Sequence, residues 1–366
     1  MLDALYLPKP DLERLFAALQ AADYTVDGPR VTNGVIQFDR LDGPDGLPWG
    51  ISDDQDAGRY RLVAGPAHRA FTWTTAPQAL KPLTFPPRET LWSVTRSPDG
   101  QLGFEEHRPP QARRAVIGVR ACDLAGLDIQ DRHFGAREDP WFLSRRNGLF
   151  IVAVNCARSA PTCFCAATGD GPAVTSGYDL LLDELDESFL VWAGSNEGEA
   201  LIARLGLAAA STDQVEAAAA QQQAASEMQK RRIPEGRLET ALEKQRSSPV
   251  WDSIAQRCLA CGNCTAVCPT CFCHRHTEAP ALDATASTHG REWDSCFSEG
   301  HSLAHGHPLR RDIAHRYRQW LSHKLGAWHT QYGRSGCTGC GRCITWCPVG
   351  IDLTVSISAV LAGTQE

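Results

Sequence analysis

Eight cysteines in the last third of the chain form two runs with the same spacing, C-x2-C-x2-C-x3-C, and proline follows each run directly. Thiolates at this spacing are typical of iron-sulfur clusters, because a tight loop lets three of them converge on one face of a cuboidal cluster. We expect the fourth cysteine of each run to lie at the start of a helix and to point away from that face. The runs are Cys258, Cys261, Cys264 and Cys268, and Cys337, Cys340, Cys343 and Cys347.

In bacterial two-cluster ferredoxins the fourth cysteine of each run ligates the other cluster, and this pattern predicts two [4Fe-4S] clusters here. Zinc is the alternative, since C-x2-C pairs also build zinc modules, but zinc requires neither the third cysteine nor the terminal Cys-Pro. Gly262 and Gly341 follow the second cysteine of each run, where the backbone must bend closely around a cluster. Cluster I is predicted to be held by Cys258, Cys261, Cys264 and Cys347, and cluster II by Cys337, Cys340, Cys343 and Cys268.

Four further cysteines precede residue 258 and form a less standard group. Cys122 and Cys156 each follow a continuous apolar run, at 115–119 and 149–154, and such runs are typical of parallel strands buried on both faces. A helix at 123–134 would make the crossover, so both thiols would lie at the carboxyl edge of one sheet, where open α/β sheets place ligands. Cys163 and Cys165 follow in a Pro-Thr-Cys-Phe-Cys loop. The four thiols predict a third [4Fe-4S] cluster; the alternative is that they are small buried apolar residues.

Three late cysteines, Cys271, Cys273 and Cys296, are surplus to these clusters. The Pro-Thr-Cys-Phe-Cys string recurs at 269–273, directly after the first run, and Cys296 ends a Trp-Asp-Ser-Cys string. We expect these thiols to pack near cluster I, although one of them could replace its fourth ligand. The nearby cations are expected to form a solvated or partner-facing helix surface: Arg310, Arg311, Arg316, Arg318 and Lys324.

The helices and strands that must position these cysteines can be predicted from the sequence pattern, and together they indicate an α+β protein. Residues 12–21 have helical spacing of apolar residues, and 31–106 alternate short strand-like runs with turn sequences, which indicates antiparallel strands. Residues 197–245 are rich in helix formers interrupted at Pro234, which predicts two helices. We place a boundary at Ser247–Pro249, so that a mixed α/β domain over 1–248 precedes a mainly helical, ferredoxin-like dicluster domain over 249–366.

The amino-acid composition argues against several classes of function and favours metal binding. The 366 residues are 43% hydrophobic, enough for a core without disulfides, and the net charge of -7 disfavours nucleic-acid binding. We expect no membrane span and, since the start lacks the pattern of a secretory signal, a cytoplasmic location. The 15 cysteines indicate metal ligation in a reducing compartment. Nucleotide-binding and nucleophile motifs are absent, so no catalytic residue is assigned and no cofactor is predicted beyond the clusters.

Several short motifs together resemble one family. They are Arg-Ala-Cys-Asp-Leu at 120–124, Asn155-Cys156 with Cys-Phe-Cys at 163–165, Gly171-Pro172, the run from Cys258 to Cys273, Trp-Asp-Ser-Cys at 293–296, His323-Lys324, the run from Cys337, and Ile351-Asp352. The chain is similar to beta subunits of cytoplasmic NAD(P)-linked nickel-iron hydrogenases, also called sulfhydrogenases, and to an iron-sulfur subunit of anaerobic sulfite reductase. The likeness spans about residues 113–353.

The resemblance implies a non-catalytic electron-transfer subunit of an oxidoreductase complex. Its partners would be a flavoprotein subunit with FAD, which exchanges hydride with NAD(P)H, and hydrogenase or reductase subunits. The alternative is a subunit of an anaerobic sulfite or polysulfide reductase, in which the N-terminal cluster contacts the acceptor directly. These two functions share the same clusters and differ in where the electrons leave.

Overall fold

The computed structural model describes residues 4–363 and has the mixed α+β architecture that the sequence predicts. Its strands are β1 Leu5–Pro8, β2 Thr25–Thr32, β3 Val35–Arg40, β4 Ile51–Asp56, β5 Arg59–Ala64, β6 Arg88–Arg96, β7 Leu102–Glu106, β8 Arg114–Val119, β9 Leu149–Val154, β10 Leu180–Glu184, β11 Ser188–Ala193, β12 Ala208–Ala209, β13 His274–Pro280, β14 Ala286–Trp293, β15 Leu303–Ala304 and β16 His307–Pro308. Its α-helices are α1 Leu12–Ala21, α2 Lys81–Thr84, α3 Ala121–Phe134, α4 Pro140–Arg146, α5 Cys165–Thr168, α6 Asn196–Ala203, α7 Thr212–Glu227, α8 Glu239–Lys244, α9 Val250–Arg257, α10 Asn263–Ala266, α11 Ile313–Ser322, α12 Trp328–Tyr332, α13 Arg342–Thr345 and α14 Leu353–Ala362.

The largest sheet has eight strands in the order β12, β1, β11, β10, β9, β8, β2, β3. The four strands β10, β9, β8 and β2 run parallel, and the outer strands pair antiparallel. The neighbours β8 and β9 are the two apolar runs, and α3 lies between them in the chain, so the predicted parallel pair with its crossover helix is confirmed. Their carboxyl ends therefore meet at the same edge of the sheet.

Both faces of this sheet are buried, which explains the continuous apolar runs. In β9, Phe150, Val152 and Val154 belong to the core on the face of α1 and α6, whereas Ile151 and Ala153 belong to the core on the face of α3 and α4. The helix predicted at 12–21 is confirmed with the same bounds. The strands are thus fixed between two helical layers, and the residues at their ends are held firmly in place.

A second, antiparallel sheet has the order β13, β14, β6, β7. Its strands come from both sides of the predicted boundary after residue 248, because β14 pairs with β6. A buried ion-pair network strengthens the junction, in which Arg291 contacts Glu89 at 2.6 Å and Asp139 at 2.5 Å. Contacts therefore cross the predicted boundary, and the division into two domains remains a prediction.

The region at 197–245 contains three helices, α6, α7 and α8, so the prediction of two was wrong. The stretch around Pro234 is non-helical as expected, but a second break follows α6. There Gly206 adopts a positive φ of 58°, and the Ser211 side chain accepts a hydrogen bond from the Gln214 amide to begin α7. A glycine followed by a capping serine is the sequence signal that marks this break.

The C-terminal part packs α8, α9, α11 and α14 around an aromatic and aliphatic core that includes Trp251, Tyr317, Trp320 and Ile357. Between α11 and α12 the chain widens into a π-helical turn, His323–Ala327. Such turns frequently mark functional sites in helices. No helix within residues 4–363 has the length and apolar character needed to cross a membrane.

Candidate iron-sulfur centres

The two ferredoxin-like runs fold into loops of the same shape. Gly262 and Gly341 both adopt a φ of 73° and lead into one-turn helices, α10 and α13, which carry the third cysteine of each run. Backbone amides turn toward sulfur in both loops: the Ala260 amide donates to Cys258 Sγ at 3.4 Å, and the Gly339 amide donates to Cys337 Sγ at 3.5 Å. Amides aimed at sulfur suit cluster-binding loops, since hydrogen bonds to the sulfurs help to set cluster potentials.

The fourth cysteine of each run follows the one-turn helix, so the expectation that it starts a helix was wrong. Cys347 lies near Cys258 and Cys264, and the three line one cavity together with Cys261. Cys268 lies near the cysteines of the second run, Cys337, Cys340 and Cys343. The structure therefore brings together the two sets of thiols that crossed ligation requires.

The first of these sites has an apolar wall and an open edge. Phe297, Tyr317, Trp320, Ile351 and Leu353 line its inner side. On the outer side Cys261 is exposed, as are the neighbouring side chains of Leu259 and Val349. A low-dielectric wall on one side and a surface edge on the other allow a group held here to exchange electrons with another protein.

Two buried lysines lie beside Cys268. Lys324 Nζ is 3.3 Å from Cys268 Sγ and 3.0 Å from Thr270 Oγ1, and Lys81 Nζ donates to the Cys268 carbonyl at 3.2 Å. Each lysine is only 4% exposed, and a lysine this deeply buried normally pairs with a carboxylate. Within residues 4–363 neither of them does. Burial lowers the pKa of Lys81 to about 8, whereas the nearby sulfur groups of Cys268 and Cys271 outweigh burial and raise the pKa of Lys324.

Buried cations without carboxylate partners call for another source of negative charge. Four thiolates on a cuboidal cluster carry net negative charge, and the lysines lie where they would balance it. The donor set and its charge environment therefore fit a [4Fe-4S] cluster at the second site. Lys324 and Arg316 are buried, so the expectation that both belong to a solvated helix surface was wrong. Lys324 lies within the π-helical turn, and its side chain is buried there.

The N-terminal cysteines meet at the carboxyl edge of the large sheet. Cys122 lies in the first turn of α3, directly after β8, and Cys156 lies two residues after β9, as predicted. Cys122 packs with Cys165 in a buried group that also contains Cys340 of the second run. Cys163 and Cys165 both lie near Cys156. The structure thus brings the four predicted thiols to one place and sets them against the second ferredoxin-like loop.

The surroundings of this group also suit an anionic occupant. Arg120 is fully buried near Cys156, donates to four backbone carbonyls and keeps an Nε atom without a partner. Gln229 Nε2 donates to Cys165 Sγ at 3.2 Å. Burial raises the pKa of Cys163 to about 12, so this thiol is protonated until a metal displaces the proton. An orphaned buried guanidinium nitrogen beside four thiols fits a negatively charged cluster.

The second ferredoxin-like loop and the loop at 162–165 are in direct backbone contact. A Cβ at Gly339 would lie 2.5 Å from Cys165 Cα, and one at Gly341 would overlap the Thr162 carbonyl oxygen. The Phe164 amide donates to the Gly339 carbonyl at 2.8 Å. The loops of sites II and III therefore approach each other backbone to backbone at Gly339 and Gly341.

A buried ion pair joins the same two sites. Arg342, in the second loop, contacts Asp123 at 2.7 Å and also approaches Cys122 Sγ at 4.0 Å. Sequence reasoning missed Arg342 and Lys81, named Arg120 only as part of a motif and expected Lys324 on a solvated surface, because a cationic side chain is usually exposed. The position of these residues next to predicted cluster ligands could have indicated their role. Arg120 and Asp123 lie on either side of Cys122, and Arg342 directly precedes Cys343.

A single zinc ion would need its donors close together. Among the described residues no three His, Cys, Asp or Glu side chains converge tightly enough to hold one metal ion. A cuboidal cluster holds its thiolates on four separate metal atoms and accepts a wider spacing.

Comparison with known proteins adds two findings. A family model described as a 4Fe-4S dicluster domain matches residues 257–351. Sulfhydrogenase 2 subunit beta of Pyrococcus furiosus is 32% identical to the chain over 288 residues, which cover 76% of this chain and 81% of that protein. No solved structure matches the chain.

Proposed function

Because the chain belongs to the family of sulfhydrogenase beta subunits, and is thus an iron-sulfur protein with [4Fe-4S] clusters, we propose that it relays electrons within a hydrogenase complex. One partner would be a flavoprotein subunit with FAD that exchanges hydride with NAD(P)H, and the other a hydrogenase or sulfur-reducing module. The clusters would supply one-electron transfer, with no bond made by a side chain. The role of this chain is then to hold, space and tune them.

Three groups of thiols hold clusters in this proposal. Cluster II adjoins cluster III through the contact of the 162–165 loop with the second ferredoxin-like loop. It adjoins cluster I because the fourth cysteine of each run would ligate the cluster of the other run. The ligands are Cys258, Cys261, Cys264 and Cys347 for cluster I, Cys337, Cys340, Cys343 and Cys268 for cluster II, and Cys122, Cys156, Cys163 and Cys165 for cluster III.

The observation that carries the proposal is that the three thiol groups form one continuous series. Cys340 packs with Cys122 and Cys165, while Cys343 lines the cavity of the first loop. The series runs from buried thiols at the sheet edge to the exposed Cys261. A series with a surface end provides short steps through the protein and an exit to a docked partner.

The test uses the full chain, purified without oxygen and reconstituted with iron and sulfide. Addition of the flavoprotein partner with NAD(P)H should reduce its clusters, as seen by EPR. Cys122→Ser should lower the iron content by about four per chain while the signals of clusters I and II remain. Clusters that stay oxidised in the assembled complex would refute the relay, and an unchanged iron content in Cys122→Ser would refute cluster III.

The alternative function places the acceptor, sulfite or polysulfide, directly at the N-terminal site. Burial argues against it, since Cys122, Cys163 and Cys165 are each at most 6% exposed. Turnover of such an acceptor by the purified chain with an artificial electron donor, abolished by Cys122→Ser, would support this alternative. The absence of turnover from a chain with full iron content would leave the relay as the function.

A further inference from the structure

Cys271, Cys273 and Cys296 remain outside the three clusters, yet they lie together at a cavity. Cys271 and Cys273 line an open cavity of about 300 Å³ beside the first ferredoxin-like loop, and Asp294 lines it as well. Cys296 lies near Cys273. Packing residues would fill such a space, whereas here two thiols and a carboxylate border it.

The strands and loops around this cavity hold the four groups in place. The Asp294 amide donates to the Cys273 carbonyl at 2.9 Å. Ser295 is fixed against the first loop, because Thr265 Oγ1 donates to its Oγ at 2.8 Å and a Cβ at Gly262 would lie 3.1 Å from its Cβ. The segment that carries Asp294 and Cys296 is therefore locked onto the loop that holds cluster I.

Buried positive charge lies near this cavity, as it does at the other two sites with buried cations. Lys81 lines the cavity, and its Nζ lies 3.8 Å from the ring centroid of Trp293, which is also in the wall. Lys324 Nζ is 3.5 Å from Cys271 Sγ. These two buried cations lie between Cys268 of cluster II and the surplus thiols. Neither pairs with a carboxylate within residues 4–363, so both can face a negatively charged group at the surplus thiols as well as cluster II.

The repeated Pro-Thr-Cys-Phe-Cys string points to the same chemistry. Its first copy, 161–165, supplies two thiols to site III and touches the second ferredoxin-like loop. Its second copy, 269–273, places two thiols beside the first ferredoxin-like loop. Of the 15 cysteines, 12 belong to clusters I, II and III, so three remain, one short of a four-thiolate set.

We propose that Cys271, Cys273, Cys296 and Asp294 hold a fourth iron-sulfur cluster, in which a carboxylate takes the place of the fourth thiolate. The three thiols would lose their protons as they ligate iron. The Asp294 carboxylate is oriented from behind: Oδ1 accepts from the Ser295 amide at 2.7 Å, and His301 Nδ1 lies 3.3 Å from Oδ2. The Ser298 side chain also hydrogen-bonds this carboxylate, which has about four lone-pair sites and retains room for a metal after three such contacts.

An oxygen ligand gives this cluster a property that the other three lack. Thiolate is the ligand that iron-sulfur clusters use, and a harder carboxylate holds its iron less firmly. A one-electron oxidant such as ferricyanide should therefore take one electron from this cluster first and release one iron as Fe²⁺, which leaves a three-iron cluster. The cavity is open, so that iron is also the one accessible to small molecules.

Iron counting and EPR on the full chain, purified and reconstituted without oxygen, test the proposal. Four clusters predict about 16 irons per chain, and Cys273→Ser combined with Cys296→Ser should lower this to about 12 with the signals of clusters I and II intact. Arg275→Gln, which alters the same cavity wall at a residue that pairs with Glu292 rather than with a ligand, should keep all the iron. An iron content that the double variant does not lower would overturn the proposal.

Asp294→Cys is a second variant that tests the proposed ligand set. It remains informative if the double cysteine variant fails to fold. It should keep about 16 irons and abolish the three-iron EPR signal that mild oxidation produces in the wild-type chain. A wild-type chain with about 12 irons, or an Asp294→Cys chain that forms the three-iron signal as the wild type does, would refute this ligand set. Both readouts are independent of electron transfer to any partner, so they separate this proposal from the relay.

Discussion

Lys324→Met should lower the reduction potential of cluster II. The ammonium group lies 3.3 Å from Cys268 Sγ and is buried, so no solvent screens it from the thiolate. Reduction adds a negative charge to the cluster, and a nearby cation stabilises that charge. Methionine fills a similar volume without a charge. Lys324 also donates to the Gly336 carbonyl, which in addition accepts a hydrogen bond from Thr270 Oγ1 at 2.7 Å. This carbonyl therefore keeps a hydrogen-bond partner when Lys324 is replaced.

The size of the shift follows from Coulomb's law. At an effective dielectric constant of about 20, unit charges interact by about 4 kcal/mol at roughly 4 Å and by about 2 kcal/mol at roughly 8 Å. The added electron spreads over the cluster beyond the sulfur atom, so its mean distance from Nζ falls within this range. Since about 1.4 kcal/mol corresponds to about 59 mV for one electron, the potential should fall by about 80 to 170 mV.

A redox titration followed by EPR measures this potential in the full chain. Lys324→Arg keeps the charge and should stay near the wild-type value, and Lys230→Met, which removes an exposed lysine, should have no effect. Iron content measured on each sample confirms that the clusters are loaded. A shift in Lys324→Met of less than about 20 mV, or a shift to higher potential, would refute the electrostatic role of this lysine.

Two further substitutions test the contact between sites II and III. Gly339→Ala should reduce the iron content and the melting temperature strongly, because its Cβ would overlap the Cys165 backbone, whereas Gly333→Ala, at a similar φ of 74° in open space, should cost about 1 kcal/mol. Asp123→Asn breaks a buried ion pair with Arg342 and should destabilise the fold by about 3 to 5 kcal/mol in chemical denaturation. Asp128→Asn, in the same helix but half exposed, should cost less than about 1 kcal/mol, and equal effects of the two aspartate variants would contradict the structural role of the pair.

Much of the site followed from sequence because its geometry depends on local rules. Two continuous apolar runs separated by a helix predict parallel strands, and this places Cys122 and Cys156 at one sheet edge. The spacing of the ferredoxin-like runs likewise predicts which loops form. Both predictions can be made from the residues of each segment alone, without knowledge of which distant residues contact it.

What sequence could not predict depends on contacts between distant segments. Lys81 and Lys324 are 243 positions apart, yet both contact Cys268, and nothing in their local sequence indicates burial. An Arg- and His-rich helix indicates a solvated surface, and the π-helical turn that contains the buried Lys324 has no reliable local signal. The ion pair of Arg342 with Asp123 is non-local in the same way.

The two ferredoxin-like loops show how a distant contact selects a residue. Ala260 and Gly339 occupy the same position, directly before the second cysteine, and both have a positive φ, 50° and 62°. The left-handed backbone alone therefore tolerates alanine in the first loop. Glycine is needed in the second because the backbone of Cys165 occupies the space of a Cβ. The choice of glycine thus reflects the close approach of site III to site II, which is the approach that the proposed electron transfer between them would require.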